Sequence, residues 1–290
     1  MNLPTGLRER LGALARAREA GMAPPSPPPM PETPYAPARV TRAGVEAFLP
    51  GGEWRDAHGA VFVHERLRSE IERRRPGWGR LEEPAATEPL LQALQMIGLR
   101  HALFLDLETG GLASSPVFLA GTMHWNGEDF VLRQYFARHY GEEAALLRAL
   151  ARQVEGFQAL VTYNGKSYDA PFLRARALIH RVPLALPALH VDLLHAARRR
   201  WRGRFEDCRL QTLERHVCRR PRRTGDVPGD EVPGLYHDYV RTGDAWRMVP
   251  VFHHNLLDVV TMAEVLHALC AAAAFPGVRP HPPGCPARVE

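Results

Sequence analysis

Several things are scarce in this 290-residue chain, and each scarcity excludes something. No apolar run approaches the roughly 18 residues a membrane helix needs, and the opening MNLPTGLRERLGALARAREAG lacks the apolar block of a secretory signal. That opening reads instead as a basic helix carrying Arg8, Arg10, Arg16 and Arg18, and the expected location is cytoplasmic. Four cysteines, Cys208, Cys218, Cys270 and Cys285, form no CxxC pair and no zinc spacing, so they read as reduced thiols. No internal repeat is visible. Lysine is nearly absent, and arginine carries nearly all of the positive charge behind a net +5. An arginine-rich surface suits phosphate groups.

What is present describes a globular protein with a sizeable core: 45% of residues are hydrophobic and 24% charged, both ordinary values. Proline-rich text at 23–37 (APPSPPPMPETPYAP) and 275–290 reads as linker and tail. The expected divisions are a basic N-terminal helix with its linker over 1–40, an extension packing on the core over 41–99, a main domain over 100–272, and a tail over 273–290. Within the extension, GAVFVHERL (59–67) reads as a strand, LRSEIERRR as a short charged helix, and EPLLQALQMIG as another. From residue 101 the pattern sharpens into three strands, HALFLDLET, PVFLAGTMHW and FVLRQYFA, the last two joined at Asn126-Gly127. A helix, EEAALLRALARQVEG, follows with Gly156 as its expected cap. Next come strand ALVTYNG, helix DAPFLRARALIHR, strand ALHVDL and further helices ending in NLLDVVTMAEVLHALCAAA. Such an order implies a mixed sheet flanked by helices.

In LFLDLETGG two carboxylates sit inside a strand that otherwise reads as buried. Strand side chains alternate, so Asp106 and Glu108 share one face, their Cα atoms roughly 6.5 Å apart. Both would reach one or two divalent cations; the bland alternative is an exposed strand face. Gly110-Gly111 then ends the strand and permits close approach of a ligand or backbone. In VTYNGKSYDAPFL, Asp169 stands at a helix start, where it reads either as an N-cap or as a further ligand. Lys166, in the preceding loop, would meet a phosphate or simply be solvated. In FHHNLLDVVTMAEVL, Asp258 falls on the apolar stripe of Met262, Val265, Leu266 and Leu269, where an acid needs compensation by cations or hydrogen bonds. His254 lies one turn before Asp258, and His253 beside it; a histidine near an acidic site is able to take a proton from water near neutral pH.

Taken in order, Asp106-Leu-Glu108, Asn164-Gly-Lys-Ser-Tyr168-Asp169 and His253-His254-Asn255-Leu-Leu-Asp258 resemble the DEDD exonucleases of the ribonuclease-H-like superfamily. The stretches HVDLLHAARRRW, CRLQTLERHVC, GDVPGDEVPGLYHDYVRTGD and HNLLDVVTMAEVL resemble the bacterial YprB-type domain of that superfamily, over about residues 100–270. This resemblance implies a five-stranded mixed sheet of order 3-2-1-4-5, the first three strands antiparallel, flanked by helices. It also implies that Asp106, Glu108, Asp169 and Asp258 hold two Mg²⁺ or Mn²⁺ ions, consistent with hard oxygen ligands. Thr109 and Gly110 would offer backbone groups to a terminal nucleotide, and Asn164 would help organise the site next to Lys166 and Tyr168. His253 has the spacing of the histidine class and His254 that of the tyrosine class; the text HNxxD and the helical i−4 geometry favour His254 as the base.

The expectation is a metal-dependent 3′→5′ exonuclease whose partner is single-stranded nucleic acid, DNA before RNA, with no membrane and no legible protein partner. A non-catalytic nucleic-acid-binding module and an endonuclease or phosphodiesterase with the same metals are the competing readings. Two arginine clusters, 198–204 and 219–223, are expected either to track a phosphate backbone, with Trp201 stacking on bases, or to be solvated helix ends.

Overall fold

The computed structural model describes residues 44–71, 88–111, 115–221, 223 and 225–271. By its internal contacts the chain divides into Met1–Val40 and Thr41–Glu290, and every described residue belongs to the second unit. The expected N-terminal helix, both proline-rich segments and the arginine run of LRSEIERRR lie outside the described residues.

Among the described residues seven strands form one sheet: β1 (Gly52–Asp56), β2 (Gly59–Leu67), β3 (Ala102–Thr109), β4 (Val117–Trp125), β5 (Phe130–Phe136), β6 (Ala159–Thr162) and β7 (Leu189–Asp192). Their order is β1-β2-β5-β4-β3-β6-β7, with β3 parallel to β6, β6 parallel to β7, and the other pairs antiparallel. The expected five-stranded sheet is therefore corrected to seven strands in an order that runs β1-β2 first. Counted from β3, the later five strands stand as 3-2-1-4-5, and the hairpin β1–β2 is laid along the free edge of β5 through pairs such as Phe62 with Phe136. The short, charged GEWRD of β1 carries too little apolar alternation to be read as a strand; pairing with β2 holds it there.

The helices are α1 (Arg68–Ile71), α2 (Pro89–Ile97), α3 (Glu143–Val154), α4 (Asp169–Ile179), α5 (Leu193–Trp201), α6 (Leu210–His216), α7 (Val232–Thr242) and α8 (Val249–Cys270). Leu103 and Leu105 on one face of β3 pack with Leu146, Leu147 and Leu150 of α3 and Leu173 of α4. Phe104 on the opposite face packs with α2, α5, α6 and the second half of α8. The strand is buried on both faces, so its core-facing residues read as a continuous apolar run until the acids begin. A third cluster joins the β2–β5–β4 end to α7 and the start of α8. There Phe118 stacks on Tyr236 with ring centroids 4.0 Å apart, and the Tyr236 hydroxyl donates to the Ala137 carbonyl at 3.0 Å. Fully burying each such aromatic contributes roughly 1.5–3 kcal/mol.

Two boundaries differ from expectation. Helix α8 begins at Val249, six residues earlier than the text NLLDVV suggests, because Pro250 suits its first turn and Asp244 caps the preceding short turn at Trp246 N. Gly156 follows the C-cap Glu155 without entering the left-handed region expected of a capping glycine. Cys208, Cys218 and Cys270 are free thiols, and among the described residues no helix is long and apolar enough to cross a membrane.

Candidate functional site

Asp106 lies opposite Gly121 on β4, and Gly121 lies opposite Gln134 on β5, forming a row across three strands beneath α8. The missing side chain of Gly121 makes room for Asn255 of α8: a Cβ there would stand 2.1 Å from Asn255 Oδ1. Asn255 is fully buried. Its Nδ2 donates to Asp106 Oδ2 at 2.9 Å and to the Asp106 carbonyl at 3.3 Å, while its Oδ1 accepts from Gln134 Nε2 at 2.9 Å. Gln134 Nε2 also donates to the Phe252 carbonyl at 2.8 Å. This network clamps α8 to the sheet at the depth of Asp106, one helical turn before Asp258.

Asp169 arrives by a different route. Strand β6 ends at Thr162, and the chain turns through Asn164, whose φ of 65° lies in the left-handed region that Asn tolerates. Gly165 follows against the Thr162 side chain, where a Cβ would stand 2.5 Å from Thr162 Cβ. The carboxylate of Asp192, at the end of β7, holds this loop. Its Oδ1 accepts from Asn164 N at 2.8 Å and from Leu194 N at 3.1 Å, and its Oδ2 from Lys166 N at 3.0 Å. Asp192 thus caps α5 and fixes the loop that delivers Asp169. Asp169 itself is the first residue of α4, after the N-cap position held by Tyr168, so it does not serve as the N-cap that its local text allows.

The acids meet in one electrostatic neighbourhood. Burial, then the charges of Asp258, Glu108 and Asp169, hold the Asp106 carboxyl well above the usual range, opposed by the Asn255 amide. Burial pushes Glu108 up to about 8; the His254 charge opposes this, and Asp258, Asp169 and Asp226 add to it. Burial likewise raises Asp169 to about 7 against the N–H groups of Asp169 and Leu107. Like charges drawn together out of water favour protonation unless a cation arrives. The donors are hard carboxylate oxygens, which fits Mg²⁺ or Mn²⁺. Among the described residues no three His, Cys, Asp or Glu side chains close into a cage around one point; the acids share a neighbourhood without converging.

His254 is buried on α8. Its Nδ1 donates to Asp226 Oδ1 at 2.7 Å, leaving Nε2 3.6 Å from Asp258 Oδ2. Burial alone would lower its pKa, but Asp258, Glu108 and Asp226 together raise it. His253, one position earlier, is exposed and lies on another face of the helix. Asp258 Oδ1 accepts from Arg223 Nη2 at 2.6 Å.

Residues 103–270 of this chain match the model of the RNase_H_2 family, described as RNase_H superfamily. The chain belongs to the RNase H superfamily. It is 34% identical over 194 residues to the uncharacterized protein YprB of Bacillus subtilis (strain 168). That match covers 61% of this RNase H superfamily chain and 46% of YprB, so the chain spans under half of that relative's length. Among solved structures it is similar to the family B DNA polymerase from the hyperthermophilic archaeon Pyrobaculum calidifontis. The TM-score is 0.46 and the identity 17%, over 59% of this chain and 27% of that one.

Other expected contacts of this RNase H superfamily member fall differently. Gly110 already donates its N–H to the Pro116 carbonyl at 3.0 Å, and Thr109 Oγ1 faces Gly111 N at 3.5 Å, beyond a bulge after Glu108. Lys166 and Tyr168 are exposed on the loop before α4. Trp201, expected to stack on bases, is 3% exposed and packs in the core, so that reading is corrected: the α5 helix turns its indole inward. The 219–223 cluster is also largely spent internally. Arg220 pairs with Glu264, which Arg68 also meets, and Arg223 is buried against Glu214 and Asp258. Arg222 lies outside the described residues. In the other cluster Arg198, Arg202 and Arg204 are exposed while Arg199 pairs with Glu88.

Sequence reasoning missed Asn255, Gln134, Gly121, Asp192, Asp226 and Arg223. Asp192, Asp226 and Asn255 left a trace, inside the texts HVDLLHAARRRW, GDVPGDEVPGLYHDYVRTGD and HNLLDVVTMAEVL that carry the YprB-type resemblance, and Arg223 within the 219–223 arginine cluster. Beside Asp226 and Arg223 opens a cleft of about 640 Å³, lined also by Gln211, Thr212, Glu214 and Arg215.

Proposed function

We propose that this chain is a metal-dependent exonuclease that shortens single-stranded nucleic acid from its 3′ end, DNA before RNA, with its catalytic domain over about 100–272 and the 41–99 segment as a packed extension. The observation that carries the reading is the electrostatic neighbourhood shared by Asp106, Glu108, Asp169 and Asp258, with His254 one turn before Asp258; burial holds the first three above ordinary carboxylate acidity, and the charges of the other acids add to this at Asp106 and Glu108. A scaffold that only binds has no use for that arrangement. Its motif order is that of the DEDD exonucleases.

Asp106, Glu108, Asp169 and Asp258 would hold two Mg²⁺ or Mn²⁺ ions, which would supply Lewis-acid stabilisation of the oxygens around phosphorus. The chain's own residues supply the rest. Asp226 accepts a hydrogen bond from the Nδ1–H of His254 and so leaves the Nε2 lone pair of the neutral ring toward Asp258, where it would take the proton of an attacking water. The nearby carboxylates then stabilise the imidazolium. Asn255 orients Asp106 by donating to Oδ2, and Asp192 fixes the loop that presents Asp169. Thr109 and Gly110 at the β3 end, and Asn164, Lys166 and Tyr168 on the β6–α4 loop, would meet a 3′-terminal nucleotide.

The test is digestion of a 5′-labelled single-stranded DNA oligonucleotide with Mn²⁺, beside its RNA counterpart and an Asp106→Ala control. A ladder shortening from the 3′ end, absent with EDTA and in the variant, is the expected result. Internal fragments would replace the proposal by an endonuclease. Intact oligonucleotides with folded, metal-supplied protein would replace it by a nucleic-acid-binding module.

A further inference from the structure

The side chain of Arg223 is 8% exposed and bridges two carboxylates: Nε donates to Glu214 Oε2 at 2.7 Å and Nη2 to Asp258 Oδ1 at 2.6 Å. The other oxygen of Asp258 faces His254 Nε2. Oδ2 has no hydrogen bond to that ring, at 3.6 Å, so it is Oδ1 that a cationic group of the chain itself holds. Asp106, by contrast, is met by an amide, that of Asn255, and by no cationic side chain among the described residues. A guanidinium does not lose its proton in a protein, so its hold on Oδ1 ends only by movement. The third nitrogen, Nη1, has no hydrogen-bond partner among the described residues and lies 3.8 Å from Asp226 Oδ2. Arg223 belongs to the α6–α7 connection, next to Gly225 with φ of 75°, and it lines the 640 Å³ cleft together with Glu214, Asp226 and Glu206. The side chain thus has acidic surface and open volume to withdraw into without breaking α8.

We infer that Arg223 is a built-in occupant of Asp258: in the cation-free protein its guanidinium takes the lone pairs that a divalent ion would use, and it competes with that ion for the site. The inference rests on the metal-binding reading proposed above. Glu214, on α6, anchors the arginine through Nε and sets how readily it leaves. A plain structural tie between the α6–α7 connection and α8 would have the opposite consequence, since cutting it would loosen Asp258 and weaken ion binding.

Binding of Mn²⁺ to the metal-free, full-length chain, counted from the electron paramagnetic resonance signal of the unbound ion, separates the two. Arg223→Gln is expected to bind Mn²⁺ at least tenfold more tightly than the wild type at the weaker of its sites. Arg223→Lys, which keeps the charge but lacks the fork that spans Glu214 and Asp258, is expected to show a smaller gain of about threefold. Circular dichroism establishes that each variant is folded, and if Arg223→Gln is not, Arg223→Lys carries the comparison. Equal or weaker binding by a folded variant, with a wild type that binds, overturns the competition and leaves the metal reading intact. No Mn²⁺ binding by wild type or variants overturns both.

Discussion

Replacing Gly121 by alanine adds one methyl group to the middle of β4, at a point where the only space is already taken by Asn255. The added carbon would stand 2.1 Å from Oδ1, 2.7 Å from Cγ and 2.8 Å from Nδ2 of that residue. Asn255 has no solvent-facing rotamer to adopt, being fully buried between Gln134 and Asp106. Either α8 lifts from the sheet or the amide rotates away and abandons its partners. Overpacking of this kind costs about 1–3 kcal/mol, and stranding buried polar partners costs about another 1–3 kcal/mol. A combined loss of about 2–6 kcal/mol is a large part of the 5–15 kcal/mol typical of a folded domain. Urea unfolding in metal-free buffer at constant pH measures it, provided the slope of the transition is unchanged. Asn255→Ala vacates the space the new methyl needs, so the double variant Gly121→Ala/Asn255→Ala should be about as stable as Asn255→Ala alone. The coupling between the sites should therefore equal the whole Gly121→Ala loss, about 2–6 kcal/mol, since the double variant relieves both the overpacking and the amide displacement it causes. A Gly121→Ala loss below about 1 kcal/mol, or strict additivity of the two substitutions, would refute this account of how α8 is held.

Above about pH 7.5 the metal-free protein should lose stability as pH rises toward 8.5. There the unfolded carboxyls are already ionised, while Asp169 near 7, Glu108 near 8, Asp106 above its ordinary range and the raised His254 still bind protons in the folded state. His190, lowered to about 4, and the lowered His64, His124 and His253 oppose this slope near pH 6.5, where the unfolded chain still protonates them, but above about pH 7.5 they are close to neutral in both states and contribute little. Thermal melts in EDTA test the sign, with Mn²⁺ expected to raise the melting temperature more at pH 8.5 than at 7.5; a melting temperature that rises between pH 7.5 and 8.5 in EDTA would sink the argument. His254→Ala should lower nuclease turnover by about 10²–10⁴-fold while His253→Ala, altering an exposed side chain, changes it by no more than a small factor; equal losses would contradict the assignment. Trp201→Ala should cost about 3–5 kcal/mol of stability, as for any large core side chain, and leave the oligonucleotide affinity of the folded fraction unchanged in a fluorescence anisotropy titration.

What was legible in the sequence depended on how far apart the cooperating residues lie. Asp106 and Glu108 announce themselves because alternation along one strand puts two acids on one face, and Asp258 because it interrupts an apolar helical stripe. Both signals are local. Asn255 stands on the same helix, yet nothing in its neighbours distinguishes a polar residue that plugs a glycine from one that is merely tolerated. Its meaning depends on the register of β3, β4 and β5, which aligns Asp106, Gly121 and Gln134, and register is a property of pairing rather than of any one segment. Arg223 and Asp226 sit in text rich in glycine and proline, where no periodicity assigns a direction to a side chain; a run of arginines there reads as surface charge until Glu214, Asp258 and Glu264 are seen to consume it. The hairpin β1–β2 escaped assignment to the sheet for a related reason: GAVFVHERL is recognisable as a strand, but its partner β5 lies more than sixty residues downstream.

That hairpin bears on where the molecule can be cut. The family match starts at residue 103, inside β3, and so omits β1 and β2 altogether. A fragment beginning there would strip the partner from every β5 residue between Val131 and Phe136 and uncover Phe136, whose ring is otherwise sealed beneath Phe62. Its new border would be a straight, apolar strand with unpaired backbone groups, a surface on which chains add to one another. The intact protein ends instead on β1, five residues long, whose Glu53 and Asp56 are tied to Arg138 and Arg148. The smallest piece that keeps the acids of the site in solution therefore reaches back past residue 52, well upstream of the boundary that family resemblance would draw.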